Sequence, residues 1–292
     1  MAPIFARSTM TNYSRVPILL FMLNLLGSDP DKCLTRADLA VRVQYGGQKS
    51  QEENVESILQ RDVYEQVISG NSSMDTVTIE FKLPDGTIVT QLTDFRMQSQ
   101  LVRVFLLGEE DLGEPRSQAF CFVSAFTGDM IPPEAVMKLR QKNPWTIRVA
   151  DEDRGQVDQE SPLILDSSAI RQSAVSSHLP SFCKDAKSAT FSSEQELFNI
   201  LDSVNGPDFS SISKPAIEDH VSLSRCHVLP QTSKNPCLCN LKICFDWYPC
   251  TLKYCKNSEG EGEHRCGIRT CRKCTNFFFP VKSKNSCLWD PK

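Results

Sequence analysis

Cysteine placement constrains this chain more than any other feature. Of 13 cysteines, ten fall from Cys226 onward (Cys226, Cys237, Cys239, Cys244, Cys250, Cys255, Cys266, Cys271, Cys274 and Cys287), Cys33 stands near the N-terminus, and only Cys121 and Cys183 occupy the long middle. The C-terminal stretch is too short to build a sufficient core of its own, so it is expected to be a disulfide scaffold. The middle must be held by a hydrophobic core and at most one bridge. Cys121 and Cys183 are alone there and are expected to pair with each other.

Two rival chemistries use similar cysteine spacings. Cys237-Leu-Cys239, Cys250 to Cys255 and Cys271-Arg-Lys-Cys274 could each ligate zinc, but thiols exported through an oxidising lumen pair with one another, and the chain has only four histidines. No metal is therefore expected. Cys271 and Cys274 also match a redox dithiol, whose reactivity needs a low-pKa thiolate at a helix N-terminus after a strand. Their surroundings, Cys266-Gly-Ile-Arg-Thr-Cys271, are crowded with further cysteines instead, and structural bridges are the better expectation.

Export is suggested by the N-terminus, where a polar stretch with Arg7 and Arg15 precedes the apolar run Val16 to Leu26, followed by Gly27-Ser-Asp-Pro30. The run is shorter than the roughly 18 apolar residues a spanning helix requires, and Pro17 and Asn24 interrupt it. Residues 1–30 are expected to be a signal peptide cleaved somewhere in 27–33, and the mature chain to be secreted without a membrane span. A formal net charge of -4 offers no basic field for nucleic acid.

Periodicity sketches the rest. Leu39 to Tyr45 alternates as a half-buried strand, and Val55, Ile58, Leu59, Val63, Val67 and Ile68 recur at spacings that suggest a helix ending at Gly70. Pro84-Asp85-Gly86 turns one β-rich run, Asp75 to Leu83, into another, Thr87 to Phe95. Strands follow at Leu101 to Leu107 and Gln118 to Phe126. Pro132 to Lys142 reads as a helix that stops before Asn143-Pro144, and Asp151 to Pro162 as a solvated acidic loop. A helix is expected to carry Cys183, and Ser193-Glu-Gln-Glu196 to cap another through Val204. Residues 34–205 thus read as an α+β domain, 206–225 as a linker and 226–292 as a cysteine-rich domain.

No Gly-x-Ser-x-Gly elbow, phosphate loop or histidine beside a nucleophile is present, so neither an enzyme nor a cofactor is expected. Asn71-Ser-Ser73 is a glycosylation sequon in a polar turn; Asn12-Tyr-Ser14 would leave with the leader.

Four longer motifs, Val136 to Pro144, Trp247 to Cys255, Cys266 to Cys271 and Ser286 to Asp290, resemble the out at first family in order and spacing, over a stretch from about Leu39 to the C-terminus. Cysteines at 244 and 274 depart from that family's pattern, and the resemblance implies that they pair together. It also implies a secreted protein with a developmental or signalling association. The middle region is similar in element order to BRICHOS domains, with Asp94 at the acidic position and Cys121 and Cys183 as the bridge. That likeness implies a fold of an antiparallel sheet with flanking helices, followed by a small disulfide-rich module. It further implies a chaperone-like activity toward β-prone segments, for which Thr275 to Val281 is either a client or a core strand. The expected partner is an extracellular or cell-surface protein of unknown identity; a dedicated receptor ligand and an exported thiol oxidoreductase are the rival readings. Asp94 is either a buried, protonation-sensitive acid or a solvated strand end.

Overall fold

The computed structural model describes residues 36–46, 63–108, 111, 117–140, 143–166, 175–186, 189–204, 212–217, 223–230, 233–256 and 262–288. The expected leader, Cys33 and the 55–62 part of the first expected helix lie outside them.

Turn chemistry starts the fold. Gly86, at φ 88°, accepts the backbone that the Pro84-Asp85-Gly86 turn demands, its N–H donates to the Leu83 carbonyl at 3.0 Å, and Asp85 accepts from the Thr87 N–H at 2.9 Å. This joins β3 (Thr76–Lys82) to β4 (Ile88–Asp94), and antiparallel neighbours extend the pair on both sides: β1 (Arg36–Gln44) and β2 (Val63–Asn71) on one, β5 (Ser99–Leu107) and β6 (Ser117–Ala125) on the other. Four short strands complete a ten-stranded sheet: β7 (Ile147–Arg148) beside β1, and β10 (Thr190–Ser192), β9 (Leu163–Leu165) and β11 (Ser213–Pro215) beyond β6.

Register fixes which residues share a face. Leu39, Ile68, Ile79, Gln91, Val102, Phe122 and Phe191 are successive partners from β1 to β10, and all but Gln91 are apolar. Against this face lies a second sheet ordered β12-β13-β8, in which the long strands β12 (Cys237–Lys256) and β13 (Glu263–Val281) form a hairpin and β8 (Glu152–Glu160) runs parallel to β13. Phe277 stacks on Phe122 with centroids 4.0 Å apart, and Phe279 meets Phe120, Phe122 and Phe191. Each such fully buried ring stabilises by about 1.5–3 kcal/mol. The aromatic run Thr275–Val281 is thus a core strand.

On the opposite face, α1 (Pro133–Val136) being elsewhere beneath β2, the one-turn α2 (Leu179–Phe182) and α3 (Glu194–Val204) cover β5 and β6. Leu179, Leu197 and Ile200 pack there with Leu101, Val123, Cys121 and Cys183. Ser193 Oγ accepts the Glu196 N–H at 3.2 Å, but the Glu196 carboxylate turns to the Ala125 N–H at 2.7 Å, so half of the expected capping box docks the helix instead of closing on itself.

Four expectations are corrected. Val63–Asn71 is a strand, not the end of a helix: Tyr64, Gln66 and Ile68 point inward while Val63 and Glu65 are exposed, and both edges are paired. The helix expected over 132–142 is a single turn, because only Pro133, Ala135 and Val136 have a surface to bury, where Gly70 lets them approach β2. Asp151 to Pro162 is not a loop; β13 supplies the backbone partners for β8, so no apolar periodicity is needed. Within the expected linker, Ser213–Pro215 pairs with β9. The protein is mostly β-sheet with few helices, and the C-terminal hairpin shares one core with the larger sheet.

Candidate functional site

The β12–β13 hairpin is cross-linked along its length. Cys244 and Cys274 are directly opposed and bonded, Cys250 bonds Cys271, and Cys255 bonds Cys266 farther out; Cys226–Cys237 and Cys239–Cys287 fix the other end, and Cys121–Cys183 ties β6 to the residue after α2. Cys271 and Cys274 lie within one strand and have different partners.

Burial changes abruptly at one bridge. Cys250 and Cys271 are 1 % and 0 % exposed, whereas past them Thr251, Lys253, Tyr254, Lys256, Arg265 and Arg269 are exposed, Tyr254 by 54 %. Two strands of six or seven residues therefore leave the core together as an arm roughly 20 Å long, closed by Cys255–Cys266. Register shifts at Pro249/Thr251 and Lys253/Tyr254 twist it, and the first accommodates Pro249. Its described residues carry Lys253, Lys256, Arg265 and Arg269 against Glu263, in a chain of net charge -4. At the base, Lys253 and Arg269 reach Asp151 and Glu152 at 3.5 and 3.4 Å. These exposed pairs contribute about 1 kcal/mol or less each. Asp151 is held below the usual carboxylate range chiefly by the Thr270 N–H, with the Thr270 hydroxyl and Lys253 adding to it.

Beneath the arm lies a charged anchor. The Asp246 side chain is 1 % exposed; it accepts from Arg272 Nε at 2.8 Å, from the Gly46 N–H at 3.3 Å and from the Tyr64 hydroxyl at 3.4 Å, while Arg272 also reaches Asp153 at 3.1 Å. One carboxylate thus links the second sheet to β2 and to the end of β1. Burial pushes the Asp246 carboxyl up against the pull of these donors, and burial together with Asp246 raises the Tyr64 phenol. Nothing local marks this network in the sequence except an acid set among Phe245, Trp247 and Tyr248.

Asp94 is 2 % exposed, so it is not a solvated strand end. Its carboxylate accepts the Arg96 and Met97 N–H groups at 3.1 and 3.0 Å, and the Ser176 hydroxyl at 2.8 Å, tying the β4–β5 turn to the segment before α2. Asn71 ends β2, and its Oδ1 accepts from Ser73 Oγ and the Met74 N–H at 2.8 and 3.1 Å. No helix among the described residues is long and apolar enough to cross a membrane.

A two-sheet β protein stapled, among the described residues, by six disulfides is the class these observations define. The chain belongs to the out at first family: residues 39–200 match its model, "Out at first", and residues 225–291 match "Out at first, C-terminal". It is 38% identical to the out at first protein of Drosophila virilis over 244 residues, covering 78% of both chains. It is also 38% identical to that of Drosophila melanogaster over 245 residues, which span 49% of that relative's length. No solved structure matches it.

Proposed function

We propose that the protein is exported and acts without catalysis, binding another protein in the extracellular space or at the cell surface through the β12–β13 arm. Bridges of this number persist in oxidising compartments, which supports export. The arm carries the binding reading. It is stiffened by its own disulfide, so little conformational freedom is lost on association, and it offers Tyr254 with Lys256 and Arg265 to solvent. A developmental or signalling association, implied by the family, fits a receptor ligand as well as a matrix partner.

Binding of the fluorescently labelled protein to intact cells tests this. Saturable binding that trypsin treatment of the cells abolishes, and that a Tyr254→Ser/Arg265→Glu variant weakens at least tenfold, is expected. Equal binding by the variant would overturn the role of the arm.

A BRICHOS-like domain with chaperone-like activity is the second reading, supported by the order of an antiparallel sheet, Cys121 on β6 and Cys183 after α2, and a buried acid, Asp94, at the end of β4. Edge pairing through β8 does not support it, because Glu152, Asp153, Asp158 and Glu160 charge that strand in the manner of protected edges. Suppression of aggregation of a β-prone peptide is the assay, and its absence at equimolar protein excludes this reading.

A further inference from the structure

The bridges among the described residues differ sharply in exposure. Both cysteines are 8 % exposed or less in Cys121–Cys183, Cys226–Cys237, Cys239–Cys287 and Cys250–Cys271, and in Cys244–Cys274 one of them, Cys274, is 2 % exposed. Cys255 and Cys266 are both exposed. They lie where β13 has no neighbour but β12, since β8 pairs with it only from Cys271 onward. A thiolate must reach a bridge sulfur to attack it, and a buried bridge admits none until the structure around it opens.

Local charge favours the same bridge. Lys256 follows Cys255 and lies opposite Glu263, which offsets it, whereas Arg265 precedes Cys266 and lies opposite Tyr254. A cation beside a sulfur lowers the pKa of its thiol and makes it the better leaving group. Gly267, on the other side of Cys266, adds no side chain to cover it. At Cys244–Cys274 a guanidinium is also near, Arg272 Nη2 standing 3.9 Å from Cys244 Sγ, but that group is engaged by Asp246 and Asp153.

We infer that Cys255–Cys266 is a thiol–disulfide exchange site at which this protein is the substrate of a dithiol reductant of the thioredoxin class. The reductant's thiolate attacks the Cys255 sulfur, the S–S bond breaks, and Cys266 leaves as a thiolate beside Arg265. The reductant's second thiol then attacks the mixed disulfide and frees Cys255. Two electrons pass to the protein, the reductant's two thiol protons end on Cys255 and Cys266, and the reductant becomes a disulfide. A monothiol serves poorly, because the hairpin holds Cys266 close to Cys255, where it expels the monothiol by attacking the mixed disulfide in turn. Cys250–Cys271 and Cys244–Cys274 keep the inner hairpin shut, so exchange releases the outer arm alone. This inference does not rest on what the arm binds.

Differential alkylation of the native full-length protein tests it. Free thiols are blocked with iodoacetamide, the protein is incubated with thioredoxin, its reductase and NADPH, or with glutathione at equal thiol concentration, and new thiols are tagged with N-ethylmaleimide and mapped by mass spectrometry. Cys255 and Cys266 are expected to be tagged together, at least tenfold faster than any other cysteine, and at least tenfold faster with thioredoxin than with glutathione. Amide hydrogen exchange is expected to rise in 251–256 and 263–269 but not in 237–249. Arg265→Glu slows the tagging at least threefold, whereas Lys282→Glu, at the other end of the hairpin, leaves it unchanged. Earlier tagging of another pair, one common rate for all cysteines, glutathione matching thioredoxin, or no tagging before denaturant is added would overturn the inference. An unchanged rate in Arg265→Glu would overturn the part given to that cation.

Discussion

Replacing Arg272 with Met tests the charged anchor. The substitution keeps most of the aliphatic stem but removes the guanidinium 2.8 Å from Asp246, whose side chain is 1 % exposed, while that of Arg272 is 16 % exposed. An uncompensated carboxylate in such a place costs about 3–5 kcal/mol. Tyr64 and Gly46 still donate to it, so the lower end of that range is expected at pH 7.5, a fall in Tm of roughly 6–12 °C at 2–4 °C per kcal/mol. The pH dependence carries the sign. Burial already raises the folded-state pKa of Asp246, and loss of Arg272 raises it further. A carboxyl with a raised folded pKa favours the folded state at low pH, and that contribution is lost as pH rises through the folded value. The deficit of Arg272→Met relative to wild type therefore shrinks on acidification from pH 7.5 toward pH 4.5, and Asp246→Asn in the same chain recovers most of it at pH 7.5. Differential scanning fluorimetry without reductant reads both. A deficit below about 1 kcal/mol, or one equal at the two pH values, would refute the argument.

Three further outcomes follow from the packing. Cys121→Ala/Cys183→Ala lowers stability by about 2–5 kcal/mol in urea titrations while the far-ultraviolet spectrum keeps its β character. Gly70→Ala costs about 1–3 kcal/mol by the same titration, because its Cβ would stand 2.8 Å from the Pro133 carbonyl oxygen and 3.1 Å from Val136 Cβ. Asp94→Ala strips three hydrogen bonds and costs about 2–4 kcal/mol, whereas Asp94→Asn, which keeps an oxygen for the two turn N–H groups, costs about half as much.

Where structure is dictated locally, the sequence was readable. The Pro84-Asp85-Gly86 turn, the strands of β5 and β6, and the start of α3 at Ser193 all rest on neighbours a few residues away. β8 was not readable, because its polar residues acquire a strand conformation from β13, more than a hundred residues distant in the chain. The same holds for β2, whose loosely helical spacing is overridden by paired strands on both sides. Cysteine positions alone left the pairing within the hairpin open; the register of β12 on β13 resolves it by placing Cys244 opposite Cys274. The anchor draws on residues 46, 64, 153, 246 and 272, so no stretch of sequence contains it.

The central claim is that the C-terminal segment is a disulfide-stapled hairpin whose inner half completes the core and whose outer half projects from it. Non-reducing proteolysis with mass-spectrometric assignment of the cross-linked peptides tests it most directly. The account predicts Cys226–Cys237, Cys239–Cys287, Cys244–Cys274, Cys250–Cys271 and Cys255–Cys266, with Cys121–Cys183 separate from all of them. A bond from Cys250 or Cys271 to any other cysteine would contradict it, because that bridge marks where both strands leave the core.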